Sequence, residues 1–302
     1  MIVFLFCGRI ALITNTKGGF EMRKGLILEG GAMRGLFSAG VIDVLMENNI
    51  EFDGMVGVSA GAAFGSNYKS RQIGRVLRYN KRFCRDKRYC SMYSLITTGN
   101  LYGADFCYNI LPEKIDIFDK EVFDKNPMEF YVVCTDVETG KPFYKECNKF
   151  DKDTYEWIRA SASLPLVSTV VEVGGGKYLD GGISDAVPLK FFESIGYEKN
   201  VVILTQPRGY RKGKTSMMGL MKRVLKKYPK VVEALERRHI MYNETTEYIF
   251  SQQKKGNVFV ICPKEPLPIK RVEKNPEVLQ QVYELGREAA LENIEKLKEF
   301  LN

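Results

Sequence analysis

Gly54-Met55-Val56-Gly57-Val58-Ser59-Ala60-Gly61-Ala62-Ala63-Phe64 changes character at its middle. Phe52 to Val58 is an apolar run of strand length, and Ala60 to Tyr68 carries apolar residues at helical spacing. A serine between them, flanked as Gly57-Val58-Ser59-Ala60-Gly61, makes a Gly-x-Ser-x-Gly elbow. A sharp strand-to-helix turn exposes the serine oxygen, and glycines on either side leave room for it. The helix start behind the serine favours developing negative charge. Without its strand and helix, the pentapeptide would read equally well as a glycine-rich turn with a capping serine.

The preceding stretch repeats this grammar. Gly25 to Glu29 reads as a buried strand, Gly30 to Gly35 as a turn, and residues 36–48 as a helix. Strand, turn, helix, twice over, is the pattern of an α/β protein with a parallel sheet covered by helices. The turn Gly30-Gly31-Ala32-Met33-Arg34-Gly35 lets backbone N–H groups converge on an anion. In a hydrolase that anion is the oxyanion of a tetrahedral intermediate, where each preorganised donor is worth about 3–4 kcal/mol. Arg34 reads either as a second anion contact, to a phospholipid phosphate for example, or as a solvated residue at the helix start. A dinucleotide loop fits poorly: the middle glycine is missing, and Asp53 begins the next strand instead of ending it.

Residues 71–120 read as helices and loops forming an insertion or cap. Glu129 to Asp136 is a strong strand with Pro142 to Glu146 as its partner, and Asp153 to Ala162 is a helix capped by Asp151 or Asp153. Val170 to Val173 and Lys177 to Leu179 bracket three glycines as a hairpin. Val201 to Thr205 and Val258 to Cys262 are strands, and residues 276–301 form a long amphipathic helix. Asp180-Gly181-Gly182 follows the hairpin. Asp-Gly is first of all a turn dipeptide, and a carboxylate on such a turn is expected to be exposed and mobile enough to meet a serine.

In this order the three elements resemble the patatin-like phospholipases: a glycine-rich oxyanion loop (residues 30–35), then Gly57-x-Ser59-x-Gly61, then Asp180-Gly181-Gly182. The resemblance runs from about Lys24 to about Pro188. Ala160-Ser161-Ala162-Ser163-Leu164-Pro165 looks like the Ala-Ser-x-x-x-Pro that family members often carry before the aspartate. The tail around Pro263 to Pro268 looks like a bacterial branch of uncharacterised patatin-like esterases. Ala32 departs from the glycine many members have there, adding a methyl group near the oxyanion loop. The resemblance implies a three-layer α/β/α fold with a central, mostly parallel sheet. It also implies lipid acyl-ester hydrolysis of the phospholipase A or lysophospholipase type, by a Ser59–Asp180 dyad through an acyl-enzyme. Asp180 would be the proton acceptor. An ordinary aspartate, with a pKa near about 4, is a weak base, so burial beside Ser59 is expected to raise it.

Two other readings stand beside this one. The order Ser59, Asp180, His239 is that of an α/β-hydrolase triad, although His239, the sole histidine, sits in a charged helical-looking stretch. The chain could also be a catalytically silent lipid- or acyl-binding protein on the same fold.

The 302 residues suffice for one large domain, and no Pro/Gly/Ser-rich linker divides residues 22–302. Seven scattered cysteines with no Cys-x-x-Cys pair argue against a disulfide framework or zinc site and for a reducing compartment, hence the cytoplasm. Residues 206–230 hold nine Lys or Arg and no acidic residue. They read either as a basic, apolar segment resting on the anionic inner face of a membrane or as a solvated helix with a buried stripe. The formal charge of +8 suits either nucleic acid or membrane, but no nucleic-acid-binding module is present. No cofactor or metal is implied, and Asp116, Asp119, Glu121 and Asp124 do not match an EF-hand loop. Met1 to Thr14 is apolar but interrupted by Arg9, short of the ~20 residues a membrane-spanning helix needs. Lys17 to Met22 can be encoded as a ribosome-binding site followed by a start codon. Met22 is therefore the expected native start, with residues 1–21 a non-native leader, and a native peptide containing Thr14 would contradict it.

Overall fold

The computed structural model describes residues 22–302, and the leader assigned to residues 1–21 lies outside the described residues. The expected alternation is present as β1 (Lys24–Leu28), α1 (Gly35–Glu47), β2 (Gly54–Val58) and α2 (Ala60–Lys69). Helices α3 (Arg75–Phe83), α4 (Met92–Thr98) and α5 (Lys120–Lys125) follow, with a wide π-helical segment at Phe106–Ile115. Next come β3 (Glu129–Asp136), β4 (Pro142–Glu146), α6 (Lys152–Ser161), β5 (Val171–Val173), β6 (Gly176–Asp180), α7 (Leu189–Ser194) and β7 (Lys199–Ile203). The chain ends with α8 (Met218–Val224), α9 (Pro229–Lys254), β8 (Val258–Ile261) and α10 (Pro276–Leu301). Asp151 caps α6 by accepting from the Thr154 amide at 2.8 Å.

β3, β2, β1, β7 and β8 run parallel in that order. β4 and β6 pair antiparallel with β3, and β5 closes the hairpin on β6. The sheet is mixed but mostly parallel. Its strands alternate between two apolar layers. Leu26 and Leu28 pack with α1, α2 and α10 on one face, while Ile27, Val56 and Val202 pack with Phe192 of α7 and with Tyr242 and Ile249 of α9 on the other. Each such fully buried aliphatic side chain contributes about 1.5–3 kcal/mol. The result is the expected three-layer α/β/α arrangement.

Helix α1 is buried from Gly35 to Met46. It has to be, because α10 crosses it backbone to backbone: a Cβ on Gly40 would meet the Tyr283 carbonyl at 2.1 Å, and one on Gly286 would meet the Phe37 carbonyl at 2.0 Å. Tyr283 Oη donates to Asp43 at 2.6 Å, and Arg287 grips Glu47 with two bonds of 2.8 Å.

The segment read as an insertion or cap joins the main core instead of standing apart, through Val76, Phe83, Phe106 and Phe118. Asp116 pairs with Arg75 and Arg78, and Asp119 caps α5, so these acids have structural partners. The basic stretch 206–230 is mostly loop; only α8 and the start of α9 are helical. Pro207, Gly209 and Gly213 break any longer helix. No helix among the described residues is long and apolar enough to cross a membrane.

Candidate active site

Strand β3 is the ruler that brings Ser59 and Asp180 together. Val58 pairs with Val133, and Asp180 pairs with Cys134, the next residue along β3. β4 already occupies one edge of β3 at both positions. β6 therefore takes the edge that β2 vacates where it ends at Val58. The residue after Val58 and the last residue of β6 are thereby neighbours, although they lie far apart in sequence.

Ser59 has φ 54° and ψ −121°, an uncommon left-handed conformation for a residue with a side chain. The elbow survives because its flanks are bare: a Cβ on Gly61 would meet the Leu28 carbonyl at 2.4 Å, and one on Gly57 would meet the Ala62 amide at 2.5 Å. The turn is also tied from outside. The Ser59 amide donates to Ser161 Oγ at 2.9 Å, and Ser161 Oγ donates to the Val133 carbonyl at 2.6 Å. Two residues on, the Ser163 carbonyl accepts from the Asp180 amide at 2.9 Å. The Ala160-to-Pro165 segment thus clamps both members of the pair. Its presence was legible in the sequence, but its role was not.

Asp180 is 2 % exposed. The expectation of an exposed, mobile carboxylate is corrected: β6 carries it into the sheet, where Thr135 Oγ1 fixes its carbonyl at 2.8 Å and the Gly182 amide its Oδ1 at 2.7 Å. Burial pushes the carboxyl above the ordinary aspartate range. The Arg238 charge opposes that rise, as do the facing Ser59 hydroxyl and the Gly182 amide. Arg238 is held in place by donating through Nε to the Gly182 carbonyl at 2.6 Å.

In the loop of residues 30–35, Ala32 to Arg34 form one tight turn. The Arg34 amide is bonded to the Gly31 carbonyl, and the Gly35 amide to the carbonyls of Ala32 and Met33. The amides of Gly30, Gly31, Ala32 and Met33 have no backbone acceptor among the described residues. Ala32 has φ 50°, which explains why glycine suits this position.

Two cavities share Ser59, Ala32, Leu164 and Arg271. The larger, about 380 Å³, is walled by apolar side chains including Met33, Phe64, Tyr79, Leu101, Phe118 and Ile158. Of its three cations, Arg75 and Arg159 are paired, with Asp116 and Glu156, and Arg271 is the one shared with the smaller cavity. The smaller, about 50 Å³, contains Asp180 and Glu29 together with Arg34, Lys212, Arg238 and Arg271. Glu29 is buried and accepts from the Thr205 amide at 2.6 Å and Tyr242 Oη at 2.8 Å. Glu29, Lys212, Arg238 and Arg271 carried no sequence signal, because they converge only through tertiary packing. His239 lies in α9 and lines neither cavity. No group of three or more potential metal ligands exists among the described residues.

A patatin-like phospholipase family model matches residues 26–192, more than half of the chain. A second model, a domain of unknown function designated DUF6363, matches residues 228–302. An uncharacterized protein of Escherichia coli, YjjU, is 28 % identical over 287 residues, which is 88 % of this chain and 75 % of that one. An uncharacterized NTE family protein of Mycobacterium bovis is 25 % identical, covering 63 % of this chain and 51 % of its own length. A protein named lysophospholipase nte1 from Aspergillus oryzae is 27 % identical over 57 % of this chain, which spans only 11 % of that longer protein. The chain belongs to the patatin-like phospholipases, a family of lipid hydrolases.

Proposed function

We propose that this chain is a serine acyl-ester hydrolase acting on lipid esters through Ser59 and Asp180, without a histidine. The observation that carries the reading is the position of Ser59, at the junction of a long apolar cavity and a polar pocket, facing a buried carboxylate. The acyl chain occupies the apolar cavity. Ser59 Oγ attacks the ester carbonyl carbon as its proton passes to Asp180, and the carbonyl oxygen becomes an oxyanion facing the free amides of Gly31, Ala32 and Met33. The contact between Ser59 and Asp180 tightens once substrate is seated. The intermediate collapses, the C–O bond to the alcohol breaks, and Asp180 returns the proton to the departing oxygen. Water then gives a proton to Asp180 and attacks the acyl-enzyme carbonyl carbon; the bond to Ser59 Oγ breaks, Asp180 passes the proton to that oxygen, and the fatty acid is released.

The lipid is reached at a membrane surface. Met217, Leu220 and Val224 are 62 %, 43 % and 54 % exposed and spaced along one face of α8 and its start, with Arg223, Lys226 and Lys227 around them. Met92, Tyr93 and Ile96 of α4, just before the cavity-lining Leu101, are 62 %, 65 % and 79 % exposed. Apolar residues with a basic surround favour anionic bilayers. The six described cysteines are all free thiols, in keeping with a cytoplasmic location. We treat residues 22–302 as one functional unit, because β8 joins the same sheet and α10 the same core.

The test is hydrolysis of p-nitrophenyl esters of rising chain length and of mixed phospholipid vesicles by the protein and its Ser59→Ala variant. Activity lost in Ser59→Ala and kept in His239→Ala is the expected result. Activity indifferent to Ser59→Ala would overturn the nucleophile. Binding to anionic vesicles should weaken at high salt.

A further inference from the structure

The two loops that face Ser59 are both held from one helix. α9 lies in the segment matched by the domain of unknown function, residues 228–302, outside the stretch matched by the patatin-like model. Arg238 and Tyr242 stand four residues apart on it, one above the other on the same face. Arg238 Nε donates to the Gly182 carbonyl at 2.6 Å, in the turn that carries Asp180. Tyr242 Oη donates to Glu29 Oε1 at 2.8 Å, at the foot of the glycine loop.

Glu29 passes this hold on to the loop. It is buried and directly precedes Gly30. Its amide donates to the Ile203 carbonyl at 3.1 Å, and its Oε2 accepts from the Thr205 amide at 2.6 Å. Thr205 Oγ1 in turn donates to the Gly30 carbonyl at 3.3 Å. The loop has little slack: a Cβ on Gly30 would meet the Val58 carbonyl at 2.7 Å, and one on Gly31 would meet Thr205 Oγ1 at 2.7 Å. α9 is itself fixed on either side of the pair. Val231 and Leu235 pack with Leu179 and Ile183 beside the aspartate turn, and Ile249 packs with Val202 and Val258. A helix rises about 1.5 Å per residue and does not stretch, so the two contacts are set about 6 Å apart along its axis. Apolar residues at both positions would pack α9 on the sheet without burying a guanidinium, so stability alone does not call for this pair.

We propose that α9 is a positioning strut of the active site: Arg238 and Tyr242 hold the Asp180 turn and the oxyanion loop at one fixed separation around Ser59, and this is what the segment of unknown function contributes to catalysis. The proposal rests on the serine hydrolase reading. Both are positioning residues, each acting through another, Arg238 through Gly182 and Tyr242 through Glu29. The strut matters in the transition state, with the proton on Asp180 and the charge on the oxyanion, because donors must already be aimed where charge develops. It does not bear on the acyl chain, whose cavity neither residue lines.

The experiment uses the full chain, Arg238→Lys, Tyr242→Phe and the double variant. Arg238→Lys keeps the charge and removes the Nε tether, and Tyr242→Phe removes one oxygen. kcat and KM are measured on a p-nitrophenyl ester, well below each variant's melting temperature. Affinity is measured for an alkyl trifluoromethyl ketone and for the matching secondary alcohol. The ketone carbonyl carbon bonds Ser59 Oγ while the serine proton passes to Asp180 and the ketone oxygen becomes an oxyanion; the alcohol cannot react. Each single variant should lower kcat and weaken ketone binding by about tenfold, the worth of a bond to a charged group. KM and alcohol affinity should stay within about twofold, since binding of the ground state is untouched. A strut released at one end no longer fixes the separation. The double variant should therefore lose about the same tenfold, and not the roughly hundredfold of two independent bonds. Losses that multiply overturn the strut, as does a variant that melts lower with kcat intact, or one that raises KM alone. Should Tyr242→Phe not fold, Arg238→Lys decides by itself: a ketone bound as tightly as by the unaltered chain overturns the proposal. These outcomes leave the hydrolase standing, whereas hydrolysis retained in Ser59→Ala removes the hydrolase reading and this proposal with it.

Discussion

Ser161 Oγ bridges the nucleophile to the sheet, accepting from the Ser59 amide and donating to the Val133 carbonyl. Removing it strands a buried donor and a buried acceptor at once. Ser161→Ala is expected to cost about 1–3 kcal/mol of stability, read by denaturant unfolding. It should also lower kcat more than it raises KM, since the elbow is displaced while the acyl cavity is intact. A variant with unchanged kcat would show that the clamp does not position Ser59.

On the proposed mechanism, the acid limb of activity reports Asp180. A base must be ionised to accept a proton, and burial raises this carboxyl. Activity should therefore fall, as pH is lowered, at a pH above the ordinary aspartate value of 3.8. Arg238 is the largest influence holding that value down, so Arg238→Met should move the limb to still higher pH in a kcat/KM profile. A limb that stays in place would separate Arg238 from the proton acceptor.

Ala32 occupies a left-handed conformation, with φ 50°. Glycine adopts it without the Cβ penalty, so Ala32→Gly should stabilise the fold by about 1 kcal/mol even after its entropic cost in the unfolded chain. Thermal unfolding should shift upward by roughly 2 °C.

Asp185 is half-buried, accepts from Tyr144 Oη at 2.8 Å, and is raised from 3.8 to about 6 chiefly by desolvation. Its native form binds a proton more tightly than its unfolded form, so the ionised group weakens the fold, fully above about pH 6 and not at all below about 3.8. Each tenfold is about 1.4 kcal/mol, so the displacement amounts to roughly 3 kcal/mol. Asp185→Asn, which mimics the neutral form, should gain most at pH 7, and the gain should shrink by that order as pH falls to 4.

Local patterns carried much of this structure in plain view. The apolar run before Ser59 and the alternation after Lys24 gave the strand-helix units, and the glycines at 174–176 marked the hairpin. The bounds of β3 follow directly from its run of β-branched and aromatic residues. What stayed hidden depends on register and on distant partners. Asp180 reads as a turn residue from its glycines, yet its pairing with Cys134 buries it. Lys212 and Arg271 look like surface charge within basic or polar stretches, and only the packing of α9 and the following loop brings them to Ser59. The π-helical turn around Pro112 has no local period to betray it.

The interlocked backbones of α1 and α10 bear on how such a chain could be assembled or cut. A segment ending at residue 192 would contain the whole stretch matched by the patatin-like model, yet it would leave β1 without β7 on one edge and the glycine-lined groove of α1 open to solvent. Expressed alone, such a fragment should be insoluble, or rescued only when residues 193–302 are supplied in trans. In this chain the two matched segments therefore share one sheet and one core, β7 covering the β1 edge and the second segment the α1 groove that the first presents.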